Sequence, residues 1–102
     1  MDNESTTMRA VLNGVVVAES SDTVVVEGNH YFPEGSLRGD LLTDSDTTSR
    51  CPWKGEAHYK TVTADGETAQ DGLWYYPEPL PAAKEIKGRV AFWHGVIVEP
   101  AP

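Results

Sequence analysis

Only one cysteine, Cys51, occurs in 102 residues, so an internal disulfide and a four-cysteine zinc site are both excluded. The three histidines, His30, His58 and His94, are scattered, and no metal-ligand spacing emerges from them. Basic residues are few: eight Lys and Arg face sixteen Asp and Glu, a net charge of −8. Such a surface repels phosphate backbones and argues against a nucleic-acid partner. No apolar run approaches the roughly 18 residues that span a bilayer, so no membrane partner is expected. Residues 1–7 are acidic and polar where a signal peptide is basic and then apolar. The expectation is therefore a cytoplasmic protein with a flexible N-terminal tail at 1–7 and one β-rich domain at 8–102. Neither a glycine-rich phosphate loop ending in Lys-Ser/Thr nor a Gly-x-Ser-x-Gly turn occurs.

What is present suits a small folded domain. The apolar fraction is 39% and the charged fraction 24%, compatible with one hydrophobic core and no more. Short β-branched runs alternate with turn residues about every ten positions. Arg9–Leu12 and Val15–Ala18 flank Asn13-Gly14, whose residues tolerate the positive φ of a type I′ hairpin. Thr23–Val26 follows Asp22 and closes at Gly28-Asn29, and His30–Phe32 stops at Pro33. Glu34–Leu42 reads as a helix of two turns at most, with Leu37, Leu41 and Leu42 on one face and two glycines weakening it. Thr43–Arg50 is polar and without period, and reads as an exposed loop. Strand pattern resumes at Gly55, turns at Asp65-Gly66 and returns through Leu73–Tyr76. Pro77, Pro79 and Pro81 forbid a central strand beyond it. Ala82–Ile86 suggests one helical turn, and Arg89–Trp93 and Val96–Glu99 flank His94-Gly95 as a last hairpin. The predicted fold is mostly β: a rolled antiparallel sheet or open barrel of about eight short strands, with one or two short helical segments.

The unusual stretch is Cys51-Pro52-Trp53-Lys54-Gly55, followed by His58 and Tyr59. Pro52 fixes its own φ and holds Cys51 extended, while Gly55 permits a tight exit. The thiol is thus presented on a stiffened bend between Arg50 and Lys54, and adjacent cations favour thiolate. A Cys51 nucleophile or redox centre with Lys54 or His58 as helper is one reading. Burial of Cys51 as a small hydrophobe is the other, since free cysteine is usually inert core. Trp53, Tyr59, Trp74 and Tyr76 have the same two readings, ligand cage or core. Lysine is seldom buried without a partner, so Lys54 in an aromatic segment implies a nearby anion or carboxylate.

These residues carry a resemblance. Tyr31-Phe32-Pro33, Leu41-Leu42, the run Cys51–Gly55 with Tyr59, then Trp74, Tyr76-Pro77, Pro79, Ile86, Gly88 and Val90-Ala91-Phe92 stand in a recognisable order. Over Met8–Glu99 the chain is similar to the four-twenty-seven family of domains of unknown function, found mainly in bacteria and fungi. The resemblance implies a compact β-rich domain, and the family is also labelled nucleotidyltransferase-like. That chemistry needs carboxylates around Mg²⁺. Gly35-Ser36 and Asp44-Ser45-Asp46 have the spacing, with Asp40, Asp65 or Asp71 available as a third, but on a segment that reads as a loop.

Four functions follow. A small-molecule binding module would use Trp53, His58, Tyr59, Trp74 and Tyr76 around Cys51 and Lys54, for an anionic or nucleotide-like ligand. The alternatives are a Cys51 enzyme, a metal-dependent nucleotidyltransferase, and an interaction domain pairing through edge strands. Glu78, held between two prolines, is rigidly displayed. No cofactor is named by the residues, and both monomer and homodimer are open.

Overall fold

The computed structural model describes residues 6–102, and its topology is set by two-residue turns. Asn13 and Gly14 have φ of 52° and 77°, Asp65 and Gly66 51° and 85°, the left-handed pair a type I′ hairpin requires. The first turn joins β1 (Met8–Leu12) to β2 (Val15–Ser20). The second joins β6 (Gly55–Ala64) to β7 (Glu67–Tyr75). A third such turn, at Glu27-Gly28 rather than Gly28-Asn29, joins β3 (Val24–Val26) to β4 (Asn29–Pro33).

The described residues form nine strands in two open antiparallel sheets. With β5 (Leu42–Cys51), β8 (Arg89–Phe92) and β9 (Ile97–Pro100), the orders are β2-β1-β9 and β3-β4-β8-β7-β6-β5. Alternation along each strand gives the larger sheet two buried faces. One face presents Phe32, Val62, Leu73, Val90 and Phe92 to Ala10, Leu12 and Val17 of the smaller sheet. Phe32 and Phe92 meet there edge to face at 5.5 Å. The other face presents Tyr31, Ala57, Tyr76 and Ala91, covered by Val26 and by Ala83 and Ile86 of a 3₁₀ segment, Pro81–Ile86.

Three expectations are corrected. The loop at Thr43–Arg50 is the ten-residue strand β5, hydrogen-bonded along β6. It lies at a sheet edge with most side chains in solvent, so no apolar alternation is needed, and its polar composition protects the edge from stray pairing. The helix at Glu34–Leu42 is two separate 3₁₀ turns, Glu34–Ser36 and Gly39–Leu41. Leu37 between them is extended and bridges Ala18 of β2, and the Arg38 N–H donates to the Val17 carbonyl at 2.8 Å. His94-Gly95 does not close a hairpin. It passes the chain from β8 in one sheet to β9 in the other, because β9 finds its partner in β1. Of the expected tail, residues 1–5 lie outside the described residues, and the Thr7 carbonyl accepts the Ala101 N–H at 2.8 Å. No helix among the described residues is long and apolar enough to cross a membrane.

Candidate functional site

The β5–β6 connection is the Cys51–Gly55 bend itself. Cys51 and Gly55 form its last cross-strand pair. Gly55 has φ 111°, and a β-carbon there would lie 3.4 Å from the Glu78 carbonyl oxygen and 3.6 Å from Leu80. Those contacts are ordinary in length, so it is the positive φ that calls for glycine. The bend is pinned to the proline segment by the Leu80 N–H, which donates to the Lys54 carbonyl at 3.0 Å.

Lys54, 7% exposed, is the one buried charged residue among those described. Its Nζ lies 5.2 Å from the centre of the Trp53 ring and 5.7 Å from that of Tyr76, within cation–π range. It donates to a carboxylate oxygen of Glu27, which reaches over from the β3–β4 turn. The anion that Lys54 implied is therefore in the chain itself. Burial opposes the ammonium, but the hydrogen bond to Glu27, aided by the hydroxyls of Tyr31 and Tyr76, outweighs it and raises the Lys54 pKa. In return the Lys54 hydrogen bond holds the Glu27 carboxyl below its ordinary value, although the Glu27 side chain is 53% exposed.

Around this pair the inner aromatic side chains of the sheet form one cluster. The Trp74 indole N–H donates to the Tyr31 hydroxyl at 3.1 Å, with the rings perpendicular. Tyr59 and Trp74 pack on the same cluster, as does the half-buried Cys51, and the hydroxyl of Tyr59 is 2.7 Å from that of Ser49. Burial pushes the Tyr31 and Tyr76 phenols up. Trp53 stands at the rim, 38% exposed. Trp93 extends the aromatic surface, its ring 5.1 Å from Trp74, 6.2 Å from Tyr59 and stacked at 4.0 Å on His94.

The expected set of seven therefore divides. Cys51, Lys54, Tyr59, Trp74 and Tyr76, with Trp53 at the rim, share one face of the sheet. His58 does not. Strand alternation turns it to the opposite face from Tyr59, beside Tyr75 at 5.9 Å, with Nε2 3.0 Å from Glu56. Arg50 turns the same way, away from Cys51. On that side lies a cavity of about 480 Å³ lined by Arg50, Glu56, His58, Pro77, Glu78 and Leu80.

The residues with the carboxylate spacing for nucleotidyl transfer are engaged separately. Ser36 sits in a three-residue 3₁₀ turn, its hydroxyl donating to the Pro33 carbonyl at 2.7 Å. Asp44 accepts from Lys60 across the edge strand. Among the described residues, no group of three or more His, Cys, Asp or Glu is placed to hold a metal ion.

A family model described as Domain of unknown function (DUF427) matches residues 1–99. The chain belongs to that family. No curated protein matches it. In this DUF427 domain the sequence reading missed Glu27, Tyr31 and Trp93 as neighbours of the site. The detectable signal was at Glu27: a Glu-Gly pair between two β runs puts a long acidic side chain where Asn or Asp is usual.

Proposed function

We propose that the aromatic face around Lys54 binds a small anionic, nucleotide-like ligand. The observation that carries this reading is a buried ammonium under Trp53 and Tyr76 whose carboxylate partner is itself mostly in solvent. An exposed carboxylate side chain can swing aside at small cost, and a ligand phosphate or carboxylate would then take its place on Nζ. The half-buried Tyr59 and Trp74 and the Trp53 rim supply stacking area and hydrogen-bond groups to orient the rest of the ligand. Chemistry at Cys51 finds less support: Arg50, beside it on β5, and His58 on β6 both face away from it, and the Lys54 ammonium on its own side is engaged by Glu27.

The test is titration of ¹⁵N-labelled protein with adenosine monophosphate and, separately, inorganic phosphate. The three tryptophan indole N–H signals serve as reporters. The nucleotide should shift Trp53 and Trp74. Lys54→Met should weaken binding about tenfold or more, and Glu27→Gln, which removes the competing carboxylate, should strengthen it. Unmoved indole signals, or equal affinity in Lys54→Met, would refute the assignment.

A further inference from the structure

The cavity on the opposite side of the same bend carries a separate set of charges. Arg50 and Glu56 are cross-strand partners on β5 and β6, yet no ion pair joins them; Glu56 is engaged with His58 instead. Arg9, Arg38 and Arg89 each have a carboxylate partner, whereas Arg50 has none among the described residues. Glu78, across the cavity, has no cationic partner among them either. Among the described residues, one guanidinium and one carboxylate without a charged partner thus border the same hollow, with Pro77 and Leu80 as its apolar wall.

The wall is built to hold its shape. Pro77 and Pro79 fix the backbone on either side of Glu78. The Leu80 N–H is tied to the Lys54 carbonyl, and the Glu78 carbonyl lies close against Gly55. Little ordering cost remains when a ligand binds such a wall. The volume falls within the range of about 300–1,000 Å³ typical of small-molecule sites.

We infer that this cavity is a second site, selective for a small zwitterion bearing an ammonium and a carboxylate, as a free amino acid does. Arg50 takes the carboxylate through its forked N–H donors. Glu78 accepts from the ammonium, and an aliphatic side chain lies along Pro77 and Leu80. The site uses other side chains than the Lys54 face: strand alternation turns Arg50, Glu56 and His58 to the side of the sheet opposite Tyr59 and Trp74.

The probes are L-leucine, N-acetyl-L-leucine, which keeps only the carboxylate, and L-leucinamide, which keeps only the ammonium. Leucine should shift the backbone amides of Gly55, Glu56, His58 and Leu80 at concentrations up to about 10 mM. The two singly charged analogues should bind about tenfold or more weakly than leucine. Glu78→Gln should weaken leucine and leucinamide but not N-acetyl-leucine; Arg50→Gln should weaken leucine and N-acetyl-leucine but not leucinamide. Both positions are exposed, so an unchanged amide spectrum elsewhere confirms that each variant folds. The inference is overturned by absence of shifts, by equal affinity for the three compounds, or by indifference to either substitution. Shifts confined to the Trp53 and Trp74 indoles would overturn it too, while leaving the Lys54 face standing.

Discussion

Glu27 is the residue on which the site turns. Among the described residues five other than glycine have left-handed backbone, and four of them, Asn13, Asp65, Asp71 and His94, are of types that tolerate it. Glu27, at φ 54°, is not. A strained conformation persists where the surroundings over-determine it, and here the surrounding fact is the Lys54 ammonium. Glu27→Gly would relax the turn and remove the carboxylate. Desolvation would then act on Lys54 with less opposition, and its pKa should fall from the raised value of the native protein. The pH titration of the Lys54 Cε resonance reads this directly; an unchanged midpoint would mean that the tyrosine hydroxyls, not Glu27, hold the charge. The Lys54 partner was legible in outline, because a lysine among aromatics demands an anion. Its identity was not, since residues 27 and 54 meet only across the folded sheet.

At the level of elements, the pairing of β6 with β7 is interrupted between Lys60 and Val62, where Gln70, Asp71 and Gly72 bulge. The bulge is a junction. The carbonyls of Asp71 and Gly72 accept from the indole and backbone N–H of Trp93, at 2.6 and 3.0 Å, and the Gln70 carbonyl is 2.9 Å from His94 Nδ1. The neighbouring hydroxyls of Ser45 and Thr47 on β5 favour the charged form and hold the Asp71 carboxyl below its ordinary value, while its Oδ1 is buried without a hydrogen-bond partner. A β-carbon on Gly72 would fall 2.8 Å from Ala69 Cβ and 2.9 Å from its carbonyl oxygen, neither of which can move aside. Gly72→Ala should therefore lower unfolding stability by about 1–3 kcal/mol in urea denaturation, with Trp93 fluorescence shifted as its anchor moves. Wild-type stability in this variant would show that the bulge is soft. Nothing in the local sequence announces it, and β5, polar along most of its length, lacks the alternation by which strands are recognised.

For the molecule as a whole, the titrating groups bound the pH range of stability. Hydrogen bonds from Lys54, Arg38 and Lys60 depress the carboxyls of Glu27, Asp40 and Asp44, and the nearby hydroxyls of Ser45 and Thr47 depress Asp71. A depressed folded-state pKa contributes stability that is present above the unfolded value and lost as pH falls through the folded one. That loss begins below about pH 4. Lys54 and Lys60, and the phenols of Tyr31 and Tyr76, have raised values. Their contribution is complete below the unfolded values and disappears as pH rises through the folded ones, above about pH 10. Thermal melts across pH should show a broad plateau that falls at both ends, the acid limb steepening in low salt because these pairs are largely exposed. A melting temperature that rises on acidification below pH 4 would contradict the assignment.

The β class, the Asn13-Gly14 and Asp65-Gly66 turns and the stiffened bend at Cys51–Gly55 belong to the sequence alone, because each depends on residues that touch their neighbours in the chain. Backbone preferences of Asn, Asp, Gly and Pro act over two or three bonds and need no fold to express them. Which strands pair, that β8 and β9 part company, and that Glu27 caps Lys54 were decided only by tertiary structure. Those arrangements depend on burying two faces of one sheet at once, and that burial sums over residues far apart in the chain. The division of the bend into an aromatic face and a charged cavity follows from the same cause: alternation is written in the strand, but only the packed sheet says what lies on either side of it.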